Sequence, residues 1–417
     1  MTNTEWFNLS LEAGKIFSPA APIDRETLFA GRIEQMRKLV DVINQRGQHA
    51  IVFGERGVGK TSLAHILRTK IGVKSQNPSI GLLSPIINCD SSDSYSSLWM
   101  KVFSNIELQY QIKQLGFNSS SENLSIPLSE EFKEKGEITP DDVRKAMALL
   151  SVNNIVMVII DEFDRVNDRQ TKTLFADTIK TLSDQSIAAT LVIVGVADSV
   201  DELIEEHYSI ERNLVQIKIP RMSKDELHEI LNKGLSLLDM TIEQKAENHI
   251  VLLSQGLPHY THLLGLHSAR KAFDSSRKAI VFGDIEQAIS KAILEAQQSI
   301  KSAYHKATMS TRKGNIYAQV LLACSLTKTD DLGYFAAADV REPLSKIMRK
   351  PYDIPSFSRH LYDFCEEIRG PILNRMGKKH RYKFRFINPI MQPYITMQGF
   401  ANNLISSAAL EEQLMLF

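Results

Sequence analysis

Short apolar runs alternate with longer helical patterns through the first half of the chain. Four of these runs predict β-strands: Ala50–Phe53, Leu82–Ile87, Ile155–Ile160 and Thr190–Val196. Apolar residues at helical spacing in Arg32–Asn44 and in Thr61–Lys70 predict helices on either side of the first strand. The runs are continuous rather than alternating, which is typical of strands covered on both faces. We therefore expect a parallel α/β sheet.

The pattern changes after Pro220, which suggests further domains. Helical patterns fill the next stretch, and Ser223 followed three residues later by Glu226 predicts a capping box at the first of these helices. Beyond Thr311 we expect helices at Ile316–Ser325 and Ser356–Ile368 and a strand pair across Gly377, an order that suits a winged helix. The predicted domains are an α/β core at 1–220 with a mobile insertion or loop at about 118–136, a helical lid at 221–305 and a winged helix at 311–417.

Composition narrows the class of protein only slightly. The 417 residues contain 49 Lys plus Arg and 49 Asp plus Glu, so any preference for nucleic acid must come from a local patch. The three cysteines lack the spacing of a metal site or a disulfide framework, which fits a reducing compartment. No signal-like start and no run of about eighteen apolar residues occurs, so we expect a cytoplasmic protein without membrane contact.

A glycine-rich motif follows the first predicted strand and opens the next helix. It reads Gly54-Glu55-Arg56-Gly57-Val58-Gly59-Lys60-Thr61, and Ser62 follows it. Glycines let the backbone N–H groups turn inward around phosphates at a helix N-terminus. Lys60 is expected to reach the β- and γ-phosphates and Thr61 to ligate Mg²⁺. A chance glycine turn is the alternative, but the flanking strand and helix favour an ATP site formed by residues 54–62.

Two acidic residues end the buried strand that precedes position 161. Such a strand delivers Asp161 and Glu162 to the carboxyl edge of the sheet, where doubly wound folds bind nucleotides. Asp161 would hold Mg²⁺ through a coordinated water, and Glu162 would act as general base on the attacking water. Either acid alone could be a solvated strand end; together with the glycine motif they predict ATP hydrolysis.

With these motifs the chain resembles AAA+ ATPases, in particular the initiator-like branch that includes origin-recognition and replication-licensing proteins along with related signalling ATPases. Leu28–Glu34 resembles the segment that helps to seat adenine in that branch. The resemblance implies a polar sensor at Asp198 and an arginine finger at Arg212, which would enter a neighbouring subunit's site. It also implies that His259 stands where the second sensor usually has Arg. The alternatives are a helix N-cap for Asp198, a surface ion pair with Glu211 for Arg212 and a packed lid residue for His259.

The predicted C-terminal strand pair is strongly basic. Its candidate nucleic-acid contacts are Lys378, Lys379, Arg381, Lys383 and Arg385. The last three alternate with aromatic residues, so they are expected to share one strand face and to contact phosphates without reading sequence. A solvated face, or one that docks an acidic protein, is the alternative. The preceding helix is expected to bury Phe357, Leu361, Phe364 and Ile368, and its opposite face has a mainly acidic end that suits base reading poorly.

These expectations combine into an ATP-dependent assembly switch. Lys60, Thr61 and Asp161 would bind ATP and Mg²⁺, Glu162 would activate water, and Arg212 would complete the site of a second copy. Two functional classes stay open. The first is a DNA-associated ATPase that loads or recruits other proteins, like an initiator or a transposition regulator. The second is a signalling ATPase that activates an unidentified protein partner, as in prokaryotic antiviral defence.

Overall fold

The structure is a computed structural model that describes residues 3–74, 81–113, 121–197, 200–204, 210–312, 314–330, 332–378, 381–406, 408–409 and 412. The strands are β1 (His49–Gly54), β2 (Gly81–Leu83), β3 (Ile86–Asn88), β4 (Glu107–Lys113), β5 (Ser121–Pro127), β6 (Asn154–Asp161), β7 (Ala189–Val196), β8 (Leu214–Lys218), β9 (Thr241–Ile242), β10 (Ala279–Ile280), β11 (Phe335–Ala336), β12 (Leu373–Met376) and β13 (Lys383–Phe386). The helices are α1 (Asn3–Ile16), α2 (Ile33–Asn44), α3 (Lys60–Lys74), α4 (Tyr95–Ser104), α5 (Pro140–Leu150), α6 (Arg169–Asp184), α7 (Lys224–Leu237), α8 (Gln244–Ser254), α9 (Pro258–Asp274), α10 (Phe282–Glu295), α11 (Gln298–Thr308), α12 (Tyr317–Ser325), α13 (Ala337–Met348), α14 (Ile354–Asp363) and α15 (Met391–Ala401).

The chain forms two compact units. We call Arg32–Gly54 together with Lys60–Ile219 the sheet unit, and Met1–Gly31, Glu55–Gly59 and Pro220–Phe417 the helical unit. The expected change of architecture after Pro220 thus coincides with a unit boundary. Residues before position 32 were expected in the core domain, but they cluster with the helical unit.

The sheet unit contains a parallel sheet, which confirms the expected α/β class. Its strand order is β2, β6, β7, β1, β8, and β3 also pairs with β6. The apolar runs predicted these strands because a strand with helices on both faces buries nearly every side chain. Residues 156–161 of β6 and all of β1 are buried, as that argument requires.

Two segments of the sheet unit differ from the sequence interpretation. The run Leu82–Ile87 forms two short strands, β2 and β3, because Pro85 has no N–H to donate and interrupts the ladder. The prediction of a mobile insertion or loop at about 118–136 was wrong for residues 121–127. These residues form β5, which pairs antiparallel with β4. Ser, Glu and Asn make up four of the seven residues of β5, so its composition concealed a strand whose backbone hydrogen bonds go to β4.

The N-terminal helix α1 packs on helices α7 and α9 of the helical unit. Phe17, which follows α1, is fully buried. Its ring fits against two glycines: a Cβ on Gly234 would lie 2.5 Å from the ring, and one on Gly265 would lie 3.0 Å from it. The glycines therefore create the space that holds residues 3–17 against α7 and α9.

The C-terminal part of the helical unit contains the expected helices and strand pair. Its antiparallel sheet has the order β11, β13, β12, and the two longer strands pair across Gly377 as predicted. The winged-helix identity of this part stays a prediction. Phe357, Leu361 and Phe364 are fully buried as expected, but Ile368 is 80% exposed, so that expectation was wrong. The reason is that α14 ends at Asp363, and Ile368 lies in a short 3₁₀ turn beyond it. No helix in the described ranges is long and apolar enough to cross a membrane.

Candidate nucleotide-binding site

The glycine motif lies between β1, which ends at Gly54, and α3, which begins at Lys60. Gly57 and Gly59 adopt φ angles of +87° and +94°, which side chains with a Cβ rarely tolerate. Gly54 has a different reason to be glycine, because a Cβ there would lie 2.4 Å from the carbonyl oxygen of Ile219. The sequence therefore folds locally into a glycine turn at the N-terminus of α3, a geometry in which backbone N–H groups can bind phosphate oxygens.

Lys60 lies at the first position of α3 and is only 8% exposed. Its Nζ donates a hydrogen bond to the carbonyl oxygen of Gly54, 3.0 Å away, so the side chain folds back over the motif. Burial strengthens the attraction of an ammonium for anions, and the N-terminus of the helix adds to it. This position therefore suits the binding of phosphate.

Asp161 ends β6, and β7 separates that strand from β1. The Asp161 side chain is 3% exposed, and its Oδ1 accepts the Glu162 N–H at 2.7 Å. Burial raises the pKa of this carboxyl above its ordinary value, although hydrogen bonds from the Thr61 hydroxyl and the Glu162 N–H oppose the shift. A buried carboxylate oxygen bonded to a hydroxyl is an all-oxygen donor set, which fits Mg²⁺. The two predicted metal ligands, Thr61 and Asp161, are thus brought together.

Glu162 adopts a left-handed backbone conformation with φ +56° and ψ +34°. This conformation is unfavourable for a residue with a Cβ and is often found where function requires it. The Glu162 side chain is exposed, and its Oε2 accepts a hydrogen bond of 2.9 Å from Nη1 of Arg165. The carboxylate is therefore accessible to solvent and held in an exposed ion pair.

Two residues close to Glu162 in the chain, Asp164 and Arg165, also contribute to the candidate site, and neither was predicted from the sequence. Arg165 pairs with Glu162 as described above. Asp164 accepts the Val196 N–H at 2.7 Å through Oδ1, which ties the end of β7 to the turn after β6. Their closeness to the acidic pair in sequence was the signal that could have identified them.

The residues suggested by the family resemblance have varied environments. Arg212 is exposed, and its carbonyl oxygen accepts a hydrogen bond from the Gln48 side chain at 3.1 Å. His259 contacts the Pro19 carbonyl oxygen through Nδ1 at 2.8 Å. Burial lowers the pKa of His259, so the ring is neutral near pH 7 and Nδ1 carries the donated proton. Its other nitrogen then has no proton to donate to phosphate. Asp198 lies outside the described residues.

The segment Leu28–Glu34, whose expected role in seating adenine stays a prediction, turns sharply at residues 31 and 32, where the two units meet in sequence. Gly31 and Arg32 have φ angles of +61° and +59°. Within the helical unit, the Gly31 N–H donates to Oε2 of Glu229 at 2.9 Å. A Cβ on Gly31 would lie 2.2 Å from the Glu226 carboxylate, so a larger residue here would displace that side chain.

The basic face of the C-terminal strands is smaller than the sequence suggested. Lys383 forms an ion pair with Asp330 at 2.8 Å. Arg385 is half-buried, with its guanidinium 4.7 Å from the centre of the Tyr334 ring. Lys378 and Arg381 are exposed, and Lys379 lies outside the described residues. Their role in binding nucleic acid stays a prediction.

A glycine loop after a buried strand, with a lysine and a Thr–Asp pair beside it on a parallel sheet, defines a P-loop ATPase of the AAA+ class. Residues 22–264 match the family model described as Novel STAND NTPase 1, and the chain belongs to this family. No curated protein matches the chain.

Solved structures share the fold across nearly the whole chain. The ORC2 protein of Aeropyrum pernix, solved as ADPNP–ADP complexes, matches with a TM-score of 0.52 and 13% identity over 96% of this chain and 98% of its own. The ORC1 protein of the same organism, solved with DNA, matches with a TM-score of 0.50 and 12% identity over 94% and 97%. A Walker-type ATPase of Pyrococcus abyssi matches with a TM-score of 0.50 and 15% identity over 91% and 99%.

Proposed function

We propose that this ATPase is a switch that assembles when ATP is bound and comes apart after hydrolysis. The proposal depends on two features of the sheet unit taken together. The first is the set of residues next to the glycine loop, Lys60, Thr61, Asp161 and Glu162. The second is an exposed arginine, Arg212, on the same unit. An ATPase needs a second cation near the transferred phosphate to reach full rate. An exposed arginine supplies that cation only when a neighbouring copy is present.

Each residue then has a role in binding or hydrolysis. Lys60 exchanges its bond with the Gly54 carbonyl for the β- and γ-phosphates. Thr61 and Asp161 would hold Mg²⁺, which when bound neutralises phosphate charge. Glu162 accepts a proton from the attacking water through its carboxylate, for which it must leave Arg165. Asp164 supports that step by fixing the turn on which Glu162 lies.

DNA is the first candidate for what the switch acts on. Lys378 and Arg381 are exposed cations that lie between β12 and β13, outside the strand in which Arg381 was expected, and they suit phosphate contacts that read no sequence. The fold is also shared with an ORC1 protein that was solved in complex with DNA. A DNA-associated role would then resemble that of an initiator or a transposition regulator.

A protein partner is the second candidate, and a separate observation favours it. The C-terminal sheet and its neighbouring turns expose Ile368, Met376 and Ile387 by 80%, 52% and 53%. Exposed apolar side chains suit contact with a protein surface better than contact with phosphates. In this case ATP-driven assembly would activate an effector protein, as a signalling ATPase does.

Sedimentation of the Glu162→Gln variant with ATP and Mg²⁺ tests the switch directly. This variant keeps ATP bound because it cannot activate water, so we expect assemblies that sediment faster than the nucleotide-free chain. Adding Arg212→Ala should return the chain to its nucleotide-free rate. Arg46→Ala, which removes another exposed arginine of the sheet unit, is the matched control and should leave assembly intact.

The same experiment with duplex DNA distinguishes the two candidates. Assembly promoted by DNA supports the DNA-associated switch, whereas assembly indifferent to DNA supports the protein-directed one. A chain that stays monomeric under every condition would contradict the switch and the role of Arg212 in a neighbouring site.

A further inference from the structure

The phosphate-binding motif contains an acidic residue, Glu55, immediately after its first glycine. It therefore belongs, by its place in the chain, to the loop that is expected to bind the phosphates of ATP. Like charges at short range oppose binding, and more strongly where the site is shielded from water. The side chain of Glu55 is only 15% exposed, so water screens its charge poorly. The loop therefore needs a cation to compensate for Glu55.

Arg221 supplies that cation within the helical unit. Its Nε donates to Oε2 of Glu55 at 2.7 Å, and its side chain is 23% exposed. The two residues are 166 positions apart in sequence, so the ion pair depends on the tertiary fold. A hydrogen bond between two oppositely charged groups is stronger than one between neutral groups, so the pair fixes the Glu55 side chain in place.

The Arg221 guanidinium is fixed by further contacts rather than by Glu55 alone. Nη1 donates to the carbonyl oxygen of Gln255 at 3.3 Å. Nη2 donates to Oε1 of Gln392, a buried residue of α15. Because the three groups engage all of its nitrogens, Arg221 is held in one orientation. The groups that orient it come from the turn after α8 and from the C-terminal helix.

Glu55 also faces a close-packed backbone on the side of the C-terminal sheet. A Cβ on Gly333, whose φ is +78°, would lie 2.5 Å from Oε1 of Glu55. The carboxylate therefore has little room to turn away from the loop, and its charge must be neutralised in place.

We propose that Arg221 is a positioning residue for nucleotide binding: it neutralises Glu55 so that the phosphate loop accepts ATP. The inference rests on ATP binding at residues 54–62, and it assigns to Arg221 a role that neither the glycine motif nor the Asp161–Glu162 pair contains. ATP carries one more negative charge than ADP, and that charge is on the γ-phosphate. Loss of Arg221 therefore weakens the binding of ATP more than the binding of ADP.

A double-mutant cycle in the Glu162→Gln background tests the proposal. ATP and ADP, each with Mg²⁺, are titrated calorimetrically into Arg221→Met, Glu55→Gln and the double variant of the full chain. Arg221→Met should lose at least about tenfold in ATP affinity because it removes the positive charge that offsets the poorly solvated Glu55 carboxylate. The loss for ADP should be smaller. Glu55→Gln in the same chain removes the repulsion and should restore ATP affinity to within about threefold of the parent.

A second ion pair, between an arginine and an aspartate, provides the control. Arg277 forms two hydrogen bonds with Asp284, at 2.8 and 3.1 Å, elsewhere in the helical unit. Arg277→Met should leave both affinities unchanged, because that pair has no place in the phosphate loop.

The outcomes separate this inference from the proposed function. Equal ATP affinity in Arg221→Met and the parent, or a double variant as weak as Arg221→Met, would overturn the role of Arg221. A parent chain that binds ATP but does not assemble would instead overturn the assembly switch. The double-mutant cycle would still test the role of Arg221, because it measures only nucleotide affinity.

Discussion

His49, at the first position of β1, is a fully buried histidine in the sheet unit. Its Nδ1 accepts the Leu191 N–H at 3.0 Å, which requires the neutral ring. Burial lowers the pKa of His49 from 6.5 to about 4. Folding therefore favours the unprotonated form of a group that the unfolded chain protonates more readily.

The sheet unit should consequently lose stability in mild acid. Between pH 6.5 and about 4 the unfolded state binds more protons at His49 than the folded state does, so the free energy of unfolding falls as the pH falls. The full contribution is about 3 kcal/mol, reached below pH 4. Urea unfolding at several pH values, followed by the fluorescence of buried Trp99 in a Trp6→Phe background, measures it.

Comparison with His49→Gln isolates this residue from the other histidines. Glutamine offers an acceptor oxygen to the Leu191 N–H but does not titrate. The variant should therefore show a shallower dependence of unfolding free energy on pH than its parent. Identical slopes for the two chains would mean that His49 contributes nothing to the acid sensitivity.

Some residues of the candidate site could be predicted from the sequence around them, and others could not. Lys60, Thr61 and Asp161 were predictable because each occupies a fixed place in a local motif next to a strand. The partnership of Glu55 with Arg221 was not, since 166 positions separate them and nothing in either neighbourhood specifies the other. Local sequence constrains backbone geometry, whereas ion pairs of this kind depend on which distant elements pack together.

Helix α7 illustrates an element whose start is encoded locally. The predicted capping box is confirmed: the Ser223 hydroxyl accepts the Glu226 N–H at 3.2 Å, and Oε2 of Glu226 accepts the Ser223 N–H at 2.9 Å. Both bonds satisfy N–H groups that the helix itself leaves without partners.

Removal of this cap should destabilise the helical unit modestly. Ser223→Ala is expected to lower the free energy of unfolding by about 1 kcal/mol, because one N–H of the first turn loses its acceptor. Urea unfolding followed by circular dichroism provides the measurement. Ser223→Asp retains an acceptor and should stay close to the parent; a loss as large as that of Ser223→Ala would argue against capping as the cause.

Elements that depend on distant partners were harder to predict. The polar strand β5 has no apolar run, and its structure depends on pairing with β4. The end of α14 was also misjudged, because apolar spacing continued to Ile368 while the backbone turned at Asp363. Periodicity reports which face of a helix could be buried, but the fold decides where that helix stops.

At the scale of the whole molecule, the basic strands decide between the two candidate functions. Lys378→Glu with Arg381→Glu reverses the charge of two exposed cations while leaving the Lys383–Asp330 pair intact. If this surface binds DNA phosphates, the double variant should depend less on salt than its parent. The slope of the logarithm of the DNA-binding constant against the logarithm of the salt concentration should fall by about one for each phosphate that is no longer bound. Retention of a labelled duplex across a salt series measures that slope.

Exposed lysines elsewhere provide a control with the same change of charge. Lys133 and Lys145 are 62% and 63% exposed in the sheet unit, and Lys133→Glu with Lys145→Glu should leave the slope unchanged. An unaltered slope in the Lys378→Glu, Arg381→Glu chain would remove these strands as the DNA-binding surface and favour the protein-directed switch.

The strand order of the parallel sheet also determines when β1 can pair with its neighbours during synthesis of the chain. Strand β1, which leads into the phosphate loop, has β7 and β8 as its neighbours, and β8 ends at Lys218. A ribosome adds about 5 to 20 residues per second. The interval between the synthesis of β1 and the synthesis of its second neighbour, β8, is therefore roughly ten to thirty seconds. Until β8 is complete, at least one edge of β1, a wholly buried strand of the finished sheet, has no neighbouring strand. The phosphate loop therefore reaches its final surroundings only after most of the sheet unit has been synthesised.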